Sequence, residues 1–98
     1  MYTVIQRYTF DPQASVALAQ GIKTGLVPLL QKMPDFVAYY WLDNGNGAGA
    51  ALCMFEEQVG AELSLELAAA FVEEHATAWA GPVEIIRGEV KVSAVCTL

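Results

Sequence analysis

A chain of 98 residues suits one domain and leaves no room for a second, and it can bury roughly 60 to 70% of the surface its unfolded form exposes. Hydrophobic residues make up 55% of it and charged residues 16%, the reverse of a disordered composition, so it must fold and has apolar surface to spare. Eleven acidic against five basic side chains give a net charge of −6 with the cations scattered, which argues against nucleic-acid binding and against attachment to anionic lipid.

Residues 1–10 alternate as a strand, with Tyr2, Val4, Gln6, Tyr8 and Phe10 on one face and Thr3, Ile5, Arg7 and Thr9 on the other. No basic stretch, apolar run and cleavage site follow one another there, and no window approaches the roughly 20 apolar residues of a membrane span. A soluble cytoplasmic protein is expected. Asp11 and Pro12 then signal a helix start, the aspartate as cap and the proline at the first helical position. The first helix sets Val16, Ala19, Ile22, Leu26, Leu29 and Leu30 at helical spacing, while Gly21, Gly25 and Pro28 predict a kink or short break over residues 25–28, a natural pocket entrance.

Residues 36–43 are aromatic and β-branched and predict the second strand. The glycines and asparagines of residues 44–49 supply a hairpin, and residues 50–55 return antiparallel. A second helix is predicted from residues 56–60 to about Trp79, with Glu62, Glu66 and Glu73 outward and Leu63, Leu67, Ala68, Phe71, Val72, His75 and Trp79 inward. Gly81 and Pro82 are expected to stop it, and residues 83–95 to form a long last strand bent near Gly88. The order is βαββαβ: an α+β, ferredoxin-like domain over residues 1–98, with two helices on one face of a four-stranded antiparallel sheet.

Two helices cover one sheet face only, yet both faces are apolar. In the second strand Phe36, Ala38, Tyr40 and Leu42 oppose Val37, Tyr39 and Trp41, and in the third Leu52 and Met54 oppose Ala51, Cys53 and Phe55. An exposed patch of that size predicts a homodimer paired through sheet faces. Cys53 and Cys96 form neither a disulfide framework nor a CxxC pair and are expected as two buried thiols.

Asp11 and Pro12 after the first strand, the stretch MPDFVAYYWLDNGNG, the segment MFEEQVGAELS and the closing GEVKV resemble the antibiotic biosynthesis monooxygenase-like family of the dimeric α+β barrel superfamily. The resemblance implies the ferredoxin-like subunit, the dimeric α+β barrel and a site between sheet and helices. Family members include oxygenases that oxidise polyketide-derived quinone precursors without metal or flavin, and haem-degrading enzymes. The latter carry an asparagine on the first strand and a tryptophan ahead of a histidine on the later helix. Here Gln6 stands on the strand and Trp79 follows His75, so the haem site is not carried over and no cofactor is expected.

His75, the only histidine, is expected inside the apolar face of the second helix, either as a proton acceptor or oxygen-anion partner or as a core residue satisfied by a backbone carbonyl. Trp79, Tyr39 and Phe71 would wall an aromatic ligand, or simply plug the core. Arg7 would anchor a polar group or pair with a glutamate such as Glu89 at the subunit boundary, and Tyr8 and Gln6 would offer a hydroxyl and an amide from the other face. One histidine, two remote cysteines and outward carboxylates predict no metal site. The sequence thus supports a cofactor-independent monooxygenase acting on an apolar aromatic or polyketide-like compound, or else a non-catalytic homodimer that binds a hydrophobic small molecule or serves as an interaction module.

Overall fold

The computed structural model describes residues 1–97. Strand β1 (Tyr2–Phe10) leads through a 3-10 turn (Pro12–Ala14) into α1 (Ser15–Gly21), a π-helical segment (Ile22–Leu26) and α2 (Val27–Gln31). Strands β2 (Phe36–Asp43) and β3 (Ala48–Phe55), helix α3 (Gln58–Glu74) and β4 (Trp79–Glu89) follow. The four strands form one sheet in the order β2-β3-β1-β4, every neighbour antiparallel. This is the expected ferredoxin-like α+β fold.

Local chemistry fixes the first helical run at both ends. The Asp11 carboxylate accepts from Gln13 N–H at 2.9 Å, with Pro12 at the first position. The expected break is a wide turn rather than a kink: Val27 N–H reaches Ile22 O, five residues back. Its cause is the spacing of the core side chains. Leu18, Ile22, Leu26 and Leu30 are buried at intervals of four, which would drift by about 40° per step on a regular α-helix; the π turn absorbs that drift. Val16 and Leu29, expected inward, are exposed.

Strand β2 has the expected bounds but not strict alternation. A bulge between Phe36 and Ala38 puts Phe36 on the same inner face as Tyr39 and Trp41, where it meets Phe55 edge-on. In the hairpin, the Asn44 side chain accepts from Asn46 N–H at 2.7 Å and Ala48 N–H at 3.2 Å. Gly47 there has φ +85°, and a Cβ on it would lie 2.5 Å from Phe10 O.

The second helix ends a turn earlier than expected. His75 leaves helical geometry, its N–H still bonded to Phe71 O and Val72 O, and Trp79 opens β4 opposite Phe10. The helix buries Gly60, Ala61, Ser64, Ala68 and Phe71, while Leu63 is exposed. Small residues let α3 approach closely: the Asp35 carboxylate occupies the space a side chain at Gly60 would need. Gly81 and Pro82, expected to stop the helix, instead lie within β4. They form a bulge between the Arg7–Glu84 and Thr9–Ala80 partners, with Gly81 at φ +72°, where proline's missing donor breaks no ladder. Strand β4 ends at Glu89 rather than near residue 95. Cys53 is buried as expected, whereas Cys96 is exposed.

The core lies between the helices and one sheet face, centred on Val4, Cys53, Phe55, Ile22, Leu30 and Phe71. Across the other face the register lines up Tyr40, Leu52, Ile5 and Ile86 in one apolar row spanning all four strands. Tyr40 and Ile86 are 59% and 62% exposed, and no helix covers them.

Candidate functional site

The inner face gathers most of the aromatic side chains. Gln6 and Tyr8 of β1, Tyr39 and Trp41 of β2 and Trp79 at the start of β4 face Ala68, Phe71 and Val72 of α3 and Ile22 and Leu26 of the π segment. Tyr8 lies 4.8 Å from Trp79 and 6.0 Å from Trp41, ring centre to ring centre, and the two indoles meet edge-on at 6.2 Å. The free space between these residues is about 10 Å³, enough for one water.

The polar groups around this space can all donate a hydrogen bond, and the Gln6 amide and the phenols can also accept one. The indole nitrogens of Trp41 and Trp79 are buried without a hydrogen-bond partner. Burial raises the Tyr8 phenol from 10.0 to about 12, and it raises Tyr39 further, helped by repulsion from Tyr8 and Cys53, so both stay protonated at neutral pH. The Cys53 thiol beside them rises from 9.0 to about 12, again through burial, partly offset by hydrogen bonds from Ser64 and the Met54 backbone. The result is an apolar chamber edged by two indole N–H groups, two phenol O–H groups and the Gln6 amide.

Of the residues singled out in the sequence, Tyr8, Tyr39, Phe71 and Trp79 converge here, with Trp79 arriving from a strand rather than from the helix. His75 and Arg7 do not line this space. The His75 ring stacks on Phe71 at 4.2 Å and its Nδ1 is 2.9 Å from Phe71 O. A carbonyl only accepts, so Nδ1 carries the proton, and Nε2 is left facing Gly21. The histidine instead lines a cleft of about 360 Å³ with Asp11, Ala14, Ala17, Leu18, Glu74 and Ala78. Arg7 projects from the uncovered sheet face, largely exposed, 3.5 Å from Glu84 rather than paired to Glu89. Alternation had set Arg7 opposite Tyr8, so its separation from the chamber was legible.

The lining contributed by Ile22 and Leu26 was not foreseen as part of a site. Their signal was the string of core residues at intervals of four. Among the described residues no cluster of three or more histidine, cysteine or carboxylate side chains could hold a metal ion, and no helix is long and apolar enough to cross a membrane.

No protein-family profile and no curated protein matches the sequence. Solved structures do share the fold. The chain is similar to NE2512, a protein of unknown function from Nitrosomonas europaea, at 22% identity and TM-score 0.78, over 98% of this chain and 94% of that one. It is also similar to a monooxygenase from the gene ActVA-Orf6 of Streptomyces coelicolor in complex with nanaomycin D, at 12% identity and TM-score 0.77, over 98% and 92%. A third is a point mutant of MhuD with two manganese protoporphyrin IX molecules bound per active site, at 14% identity and TM-score 0.75, over 98% and 100%. The chain therefore has the fold of antibiotic biosynthesis monooxygenase-type structures.

Proposed function

We propose that this chain is a homodimeric small-molecule protein that holds an aromatic, polyketide-like compound between sheet and helices and oxidises it as a cofactor-independent monooxygenase. The observation that carries the reading is the pair of partnerless indole N–H groups, Trp41 and Trp79, beside the protonated phenols of Tyr8 and Tyr39. Buried donors without acceptors cost stability, and an aromatic ligand with phenolic or carbonyl oxygens would satisfy them while stacking on the rings. The monooxygenase with the same fold, whose bound ligand is nanaomycin D, supports this choice of substrate class.

A donor-lined apolar chamber stabilises an oxygen anion, and a phenolate so held is the electron source for dioxygen. The substrate supplies all four electrons and two hydrogens: one oxygen atom of dioxygen enters it, the other leaves with those two hydrogens as water, and the product is the more oxidised quinone or ketone. The protein supplies dryness, orientation and hydrogen bonds, with Gln6 as the remaining polar group. The residues lining the chamber include no base active at neutral pH, so the substrate's acidic proton goes to water as it enters. This replaces the sequence expectation of His75 as proton acceptor. The same lack of a base favours the second reading, ligand binding without catalysis.

The residues present do not accommodate a porphyrin of the kind bound by MhuD. The free nitrogen of His75 lies against Gly21, only 3.3 Å from where a Cβ there would stand, so it is not open to ligate a porphyrin's metal.

The dimer rests on the row Tyr40, Leu52, Ile5 and Ile86: two such faces brought together bury it, with Arg7 and Glu84 paired within the same face. Titration with 1,4-dihydroxynaphthalene tests the activity. Saturable quenching of tryptophan fluorescence, together with oxygen uptake above autoxidation and loss of both in Tyr39→Phe and Trp41→Phe, is the expected result. Quenching without uptake selects the binding-only reading, and neither signal overturns both.

A further inference from the structure

The chamber and the cleft share a wall. Phe71 faces the chamber, His75 one turn later faces the cleft, and the two rings stack at 4.2 Å. Behind both rings stands Gly21, the last residue of α1 before the π segment. A Cβ placed there would meet His75 Nε2 and the tip of Phe71, each at 3.3 Å. One turn on, Gly25 again faces Phe71, at 3.9 Å. The helical run thus passes over the two rings with no side chain at either point, and between the two glycines it is π-helical rather than α-helical.

Volume makes this arrangement informative. The cleft offers about 360 Å³ and the chamber about 10 Å³, so an aromatic ligand fits the first as it stands and the second only after side chains move. The residues that enclose the chamber on the helix side are Ile22 and Leu26 of the π segment and Ala68, Phe71 and Val72 of α3. A π turn is an irregularity that recurs at functional sites, and here it carries two of those five residues, both of the ones that α3 does not supply. The sheet side is held by backbone ladders on both flanks of β1 and yields less readily.

We propose that the Phe71–His75 stack is a shutter between an outer docking cleft and the inner chamber, opened by displacement of the π segment across Gly21 and Gly25. This rests on the reading that the ligand lies between sheet and helices. His75 is then a positioning residue: Nδ1–H, held by Phe71 O, keeps the imidazole stacked over the Phe71 ring, and the stack keeps the chamber closed when empty. The ligand class that passes is planar and aromatic, since it must slide past two stacked rings inclined at 29° to each other.

Two variants move the shutter in opposite senses. Gly21→Ala sets a Cβ 3.3 Å from both rings, in the path of their outward swing, and adds helix propensity, which jams it; Phe71→Leu keeps an apolar core residue while removing the stack. The readout that needs no ligand is hydrogen exchange of the buried Trp41 and Trp79 indole N–H groups, followed by ¹⁵N NMR. Exchange severalfold slower in Gly21→Ala and severalfold faster in Phe71→Leu supports the shutter, provided backbone amides of β1 and β3 exchange as in the parent. Indole exchange unchanged in both variants, or shifted the same way in both, overturns it. Stopped-flow quenching by 1,4-dihydroxynaphthalene then separates the two claims. If indole exchange responds as stated and no quenching occurs, the shutter stands and the proposed ligand falls. Quenching at one rate in all three proteins, with exchange unmoved, leaves the ligand and removes the shutter.

Discussion

The inner face of the sheet sets Tyr8, Tyr39, Trp41 and Trp79 beneath α3, whereas the outer face sets Tyr40, Leu52, Ile5 and Ile86 beneath nothing among the described residues. Both faces are apolar; they differ in what completes them. Inside, the partners come from the same chain, packing is close, and the Trp41 and Trp79 indole nitrogens are buried without a protein hydrogen-bond partner. Outside, the apolar row is flanked by the exposed Arg7–Glu84 pair, which keeps its hydration until something covers it. Apolar content alone therefore does not distinguish a core from an uncovered face. Strand register and helix placement do.

The sharpest way to break this comparison is to truncate one residue from each face. Phe55, fully buried, should cost about 3–5 kcal/mol as Phe55→Ala, while Ile86→Ala should cost under about 0.5 kcal/mol in protein dilute enough to be monomeric. Urea unfolding measures both, and equal losses would show that the outer face is packed within the chain. Next comes assembly. Ile86→Asp combined with Tyr40→Asp should convert a dimer to monomers in sedimentation velocity while far-UV circular dichroism stays unchanged; a surviving dimer would move the interface elsewhere.

A smaller effect sharpens the inner side. The Tyr8 phenol ionises near 10.0 when unfolded and near 12 in the fold, so between those values the unfolded chain loses a proton that the folded one keeps. Its contribution to stability is complete below pH 10 and lost as pH rises toward 12. Unfolding midpoints across that window should fall less steeply in Tyr8→Phe than in the parent, and identical slopes would mean that the phenol is not sheltered. The smallest test is chemical: a colorimetric thiol reagent should label the exposed Cys96 in the native protein and Cys53 only after unfolding.

Period-two alternation in β1 and β3, the Asp11–Pro12 start and the asparagine–glycine hairpin were legible because each is a local rule that tertiary packing left intact. The end of α3 was not. Residues 75–80 continue an apolar helical pattern, and only the pairing of Trp79 with Phe10 shows that the chain has already turned into a strand. The bulge after Phe36 is equally silent, since one extra residue moves a side chain to the other face with no special residue type to mark it. As for the site, the aromatic set could be named residue by residue. Its relation to His75 could not, because that depends on where α3 stops.

The bulge at Gly81 and Pro82 also bears on how many copies can join. A sheet that ends in a flat strand invites another chain to extend it, and repeated extension gives filaments. Strand β4 is a poor template for such growth: a proline withholds a donor, the bulge twists the edge, and Glu84, Arg87 and Glu89 line it with charge. Growth along the hydrogen-bonding direction is blocked at that margin.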